Sequence, residues 1–78
     1  GHPADNHGTT AQLWSAWLRR KTGKPIHLTA QDVCILNILQ KTARHAHCPK
    51  RDNLVDIAGY AACLAECQSS APPAGGTT

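Results

Sequence analysis

Residues 52–66, DNLVDIAGYAACLAE, set Leu54, Ile57, Ala58, Ala61, Leu64 and Ala65 at intervals of three and four. That spacing predicts an α-helix with one buried stripe. Half of the stripe is alanine, so a neighbouring helix can approach closely, and this element is expected near the centre of the fold. Asp52, Asp56, Tyr60, Cys63 and Cys67 follow one another at about one helical turn and define a second, polar stripe beside the first. Its residues are expected to serve either as a site or as caps.

Two further helices precede this one. Thr9 with Gln12 fits a capping box, and Leu13, Trp14, Trp17 and Leu18 give an apolar edge as far as about Lys21. Arg19, Arg20 and Lys21 complement the negative helix end, Gly23 supplies a C-terminal cap and Pro25 stops the element. The opening GHPADNHG is rich in turn formers and is read as a lead-in. Thr29 with Asp32 forms the clearest helix start, with Leu28 and Val33 at the staple positions. The helix it opens runs to about His45 and carries Val33, Cys34, Ile35, Leu36, Ile38, Leu39 and Ala43. So wide an apolar arc must be covered on more than one side, which predicts a homodimer interface along it.

No strand pattern and no repeat appears. The expected fold is all-α: a three-helix domain over residues 1–67, then a flexible tail over 68–78, QSSAPPAGGTT. With 78 residues, no Phe, no Met and 4% aromatic residues, a lone core barely offsets chain entropy, so self-association is expected to contribute. The net charge of +3 permits contact with phosphate without requiring it. No segment has the length and apolarity of a membrane span, and no secretion signal is recognisable. A cytoplasmic location is expected, with Cys34, Cys48, Cys63 and Cys67 as reduced thiols.

Three blocks, GHPADN, then AQLWSAWL with LTAQDV, and finally KTARHAHCPKRDNLVDIAGYAACLAE, resemble a family of small phage and prophage proteins, most of them without assigned function. The resemblance covers roughly residues 1–67. It implies a bacterial host cytoplasm, and in that family a further helix and a short Asp-Arg stretch ending in Tyr come before the Gly-His-Pro. The third block is similar, more distantly, to the all-α MazG-like nucleoside triphosphate pyrophosphohydrolases. That similarity implies Mg2+ held by carboxylates, for which Asp52 and Asp56 stand here. The Glu-x-x-Glu pair such enzymes carry on the earlier helix is replaced by Lys41 and Arg44.

Two readings of these residues compete. In the first, the chain is a small phage-encoded accessory protein, a non-catalytic helical binding module without cofactor. Its partner is a host protein or a second copy of itself, and Trp14 and Trp17 are the contact residues. In the second, it is a divergent MazG-like nucleotide pyrophosphohydrolase or nucleotide binder: Asp52 and Asp56 hold Mg2+, Lys41 and Arg44 neutralise phosphate, and Tyr60 lines the base pocket. The plainer role for the aspartates is capping, with Asn53 as N-cap and Asp56 as its partner, or pairing with Lys41 and Arg44 across the connector. A zinc site from His45, His47, Cys48, Cys63 and Cys67 lacks a recognisable knuckle. A DNA-reading third helix would present Leu54, Val55 and Asp56 to the groove, which argues against specific reading. Cys48 beside His47 lacks the context of a nucleophile.

Overall fold

The computed structural model describes residues 3–70 and the side chains of 6–67. It contains three helices: α1 over Pro3–Thr22, α2 over Ala30–His47 and α3 over Arg51–Ser70. The described residues contain no strand. The all-α expectation therefore holds. Helix α2 is the middle element, packed most extensively on α3 and less on α1, while α1 and α3 barely touch.

Helix α1 starts at Pro3, seven residues before the first helical position, Thr10, that the Thr9–Gln12 pair predicts, so Thr9 lies in its interior and not at a cap. Pro3 suits a first helical position because its φ is already helical and its missing N–H costs nothing there. The turns ahead of Thr9 also gain tertiary contacts. His7 Nδ1 lies 3.3 Å from Cys34 Sγ on α2, and its ring lies against Tyr60 of α3 with centroids 6.2 Å apart. Packing of this kind offsets the weak helix propensity of Asp5, Asn6 and Gly8.

The other end of α1 follows the sequence reading. Gly23 has φ +68° and donates its N–H to the Arg19 carbonyl at 2.9 Å, an αL cap suited to a residue without Cβ. Arg19 then reaches forward, its Nη1 donating to the Ile26 carbonyl at 3.0 Å. Deeper in, the buried Ser15 hydroxyl donates to the Ala11 carbonyl at 2.6 Å and accepts from the Leu28 N–H at 2.8 Å. One hydroxyl thus holds the α1–α2 connector on α1.

The capping box of α2 forms as read: Thr29 Oγ1 accepts from the Asp32 N–H, and Asp32 Oδ2 accepts from the Thr29 N–H at 2.8 Å. Helix α2 runs to His47, two residues beyond the expected end, and Cys48 caps it by donating its N–H to the Arg44 carbonyl.

Helix α3 begins at Arg51. Asn53 is therefore not the N-cap but the third helical residue, and it is buried, with Nδ2 donating to the Cys48 carbonyl at 3.5 Å. Asp56 faces Lys41 instead of closing a capping box. The helix continues through residues 68–70, past the expected boundary at 67. The rest of the tail reading, residues 71–78, lies outside the described residues.

The inward face of α3 also differs from the expectation. Leu54, Val55, Ala58, Ala61 and Ala65 are exposed. The buried or half-buried line runs through Asn53, Ile57, Tyr60, Cys63, Leu64 and Cys67, so much of what reads as a polar stripe is the packed one. Cysteine is small, apolar and prone to burial, and it lets α3 lie close on α2. Among the described residues the fully enclosed apolar set is small: Ala11, Val33, Cys34 and Cys67.

Candidate functional site

Three features of this frame have the chemistry or exposure to act on another molecule. The first is a groove of about 460 Å3 lined by Asn6, His7, Val55, Asp56, Gly59, Tyr60 and Cys63. It forms where the early turns of α1 lie beside α3, which the sequence reading of the opening residues as a lead-in does not anticipate. Its charged edge is a clasp: Lys41 Nζ stands 2.8 Å from Asp56 Oδ2, with the lysine side chain mostly covered. Cys34 lies behind His7. Burial, with the neighbouring Cys67 and Cys63 adding to it, pushes the Cys34 thiol up to about 11 from an ordinary 9.0. The thiol keeps its proton at neutral pH, with its Sγ within hydrogen-bond distance of His7 Nδ1.

The second feature is a cleft of about 220 Å3 at the α2–α3 connector, lined by Arg44, His47, Cys48, Lys50 and Asn53. His45 braces this connector, its Nδ1 accepting from the Lys50 N–H at 3.2 Å. The expected phosphate-binding set is thereby divided: Lys41 is engaged by Asp56, Tyr60 lines the first groove, and Arg44 lines the second cleft.

The expected magnesium pair is divided as well. Asp56 is taken up by Lys41, whereas Asp52 is exposed in the first turn of α3. Among the described residues no three His, Cys, Asp or Glu side chains are grouped so as to hold a metal ion. Mg2+ prefers several hard oxygen ligands, so the donor set of one described chain does not fit it. The zinc residues are scattered in the same way, with Cys48 exposed at the connector and Cys63 and Cys67 turned toward Cys34.

The third feature is apolar. Leu13 and Trp17 on α1 are 66% and 63% exposed, Trp14 is 37% exposed, and Ile35, Leu36 and Leu39 on α2 are exposed along the arc that the sequence marks as too wide for one partner. Lys21 lies over the Trp17 ring at 6.0 Å from its centroid. No helix among the described residues is long and apolar enough to cross a membrane.

Comparison with known proteins places these features in context. Residues 1–68 match the family described as Domain of unknown function (DUF6378). The Gene 55 protein of Mycobacterium phage L5 is 38% identical over 69 residues, which cover 87% of this chain and 41% of that protein. The chain thus spans about two fifths of the length of this relative. No solved structure matches it.

Proposed function

The chain belongs to the DUF6378 family, whose description carries no activity, and from that premise we propose that it is a non-catalytic helical module that associates with a second copy of itself through the outer faces of α1 and α2. The observation that carries this reading is the inverted exposure of its large apolar residues. Leu13, Trp17, Ile35, Leu36 and Leu39 are open to water while the enclosed set is mainly Ala, Val and Cys. Burying one such side chain fully contributes about 1.5–3 kcal/mol, so a face carrying several of them has a strong drive to be covered.

A second copy suits this face because residues 33–40, VCILNILQ, carry no charge. Two such segments meeting about a two-fold axis bring no like charges together, although each chain is basic overall. The likeness to a phage protein makes a host protein the competing occupant.

Sedimentation velocity on the full chain, beside Leu36→Glu/Leu39→Glu, tests the proposal. A two-chain species that the variant converts to one chain, with helicity retained by circular dichroism, is the expected result. A single-chain mass at millimolar concentration overturns it.

A nucleotide-binding reading, to which the MazG-like resemblance belongs, has one observation in its favour. The groove beside Asp56 and Tyr60 falls within the size range of small-molecule sites, about 300–1,000 Å3. Its test is an amide-shift titration with nucleoside triphosphates, with and without Mg2+, on the native chain and on Asp56→Asn. Shifts gathered at Asp56, Tyr60 and Lys41 and lost in the variant support it. Unchanged spectra at millimolar nucleotide remove it.

A further inference from the structure

The second cleft has a charge arrangement that folding alone does not explain. Arg44 and His47 lie in the last turn of α2, where positive charge complements the helix dipole. Lys50 and Arg51 do the opposite. They stand at the start of α3, where the dipole is already positive, and the first turn contains one acid, Asp52, which does not line the cleft. Positive side chains from two helix ends therefore converge on one small concavity against the local electrostatic preference.

Two further observations point to a ligand there. Among the described residues, the side chains of Arg44, His47 and Lys50 have no hydrogen-bond or ion-pair partner, so their donors are unspent. The cleft floor carries the Asn53 amide, 7% exposed, whose one side-chain hydrogen bond is the 3.5 Å contact to the Cys48 carbonyl. An amide nitrogen has two hydrogens, and this one bond uses at most one of them.

We propose that this cleft at the α2–α3 connector binds a phosphoryl oxyanion, held by the Arg44, His47, Lys50 and Asn53 side chains that line it. The site is separate from the Asp56–Tyr60 groove and does not depend on self-association. Arg offers a planar fork that matches two phosphate oxygens, and Lys adds a point charge. The anion offsets the repulsion that Lys50 and Arg51 bring to the start of α3. The chemistry is shared by inorganic phosphate and by the terminal phosphate of a small phosphomonoester.

The test is a titration of the 15N-labelled full chain with inorganic phosphate, against sodium chloride at matched ionic strength to remove general screening. A nucleoside monophosphate is titrated in a second arm. The expected result is saturable shifts at Arg44, His47, Lys50 and Asn53 that chloride does not reproduce. In Arg44→Gln/Lys50→Gln, whose exposed positions keep the fold and whose helicity is checked by circular dichroism, affinity is expected to fall by about ten-fold or more. Monophosphate binding at least ten-fold tighter than phosphate identifies a phosphomonoester as the ligand. Equal affinity identifies the free anion. Shifts no larger than those with chloride, or saturation unchanged in the variant, overturn the proposal.

Discussion

The Ser15 hydroxyl oxygen stands 2.8 Å from the Leu28 amide nitrogen, across a sequence separation of 13, and the same hydroxyl donates back to Ala11. Ser15→Ala removes both bonds and leaves a part-buried N–H without its acceptor. Such a loss costs about 1–3 kcal/mol, and urea denaturation is expected to show it as a lower midpoint with an unchanged slope. A midpoint equal to the native one would mean that water replaces the hydroxyl.

The Lys41–Asp56 clasp is half open to solvent on the aspartate side. A double-mutant cycle with Lys41→Ala and Asp56→Ala is expected to give a coupling of about 0.2–1 kcal/mol, shrinking as salt is added. A coupling that does not respond to salt would contradict the exposure seen here.

Cys34 sets a pH dependence whose sign is defined. Its thiol ionises at about 11 in the folded chain against an ordinary 9.0, so above pH 9 the unfolded chain gives up a proton that the folded one retains. Stability from this group is intact below pH 9 and declines as pH rises from there toward 11. Thermal melts across that window, on the native chain and Cys34→Ala, are expected to show an alkaline loss that is smaller in the variant. In the folded chain at pH 8, iodoacetamide is expected to label exposed Cys48 well ahead of Cys34, as peptide mass mapping reports.

Thr29→Ala deletes the acceptor for the Asp32 N–H. Loss of a cap of this type costs about 0.5–2 kcal/mol, and hydrogen exchange is expected to quicken first in the opening turn of α2. Uniform quickening along α2 would show instead that the cap secures the whole helix.

Trp17→Ala separates contact from fold. The ring is largely exposed, so chain stability measured at dilution is expected to change by no more than about 0.5 kcal/mol. Self-association is expected to weaken by about ten-fold, the cost of losing one aromatic anchor. Unaltered association would place α1 outside the contact.

What could be read in advance was mostly local, the Lys41–Asp56 pair across the connector being the exception. The Thr29–Asp32 box and the Gly23 cap depend on residues within a few positions of one another, and both stand where the residue types put them. The start of α1 could not be read that way, because its first turns are supported by Cys34 and Tyr60, far along the chain from His7. Hydropathy also ranked Leu54 above Asn53 and Cys67 as an interior residue, but the side of α3 that faces inward is chosen by what α2 presents. Lys41 draws Asp56, Cys34 accommodates Cys67, and Leu54 is turned outward in consequence. The candidate site divided for the same reason: Lys41 and Arg44 are one turn apart in sequence, but Lys41 is paired with Asp56 whereas Arg44 lines the cleft at the α2–α3 connector.

The small residues enclosed between the helices have a consequence for how the chain tolerates change. Where Ala11, Ser15, Val33 and Cys34 fill the space, each added methylene must displace a helix, so drift there is confined to swaps of nearly equal volume. The bulky positions on the outside lack that constraint within a single chain. A substitution map of the isolated domain would therefore be permissive at Leu13, Trp17, Leu36 and Leu39 and strict at Ala11, Ser15, Val33 and Cys34, the reverse of the usual ranking.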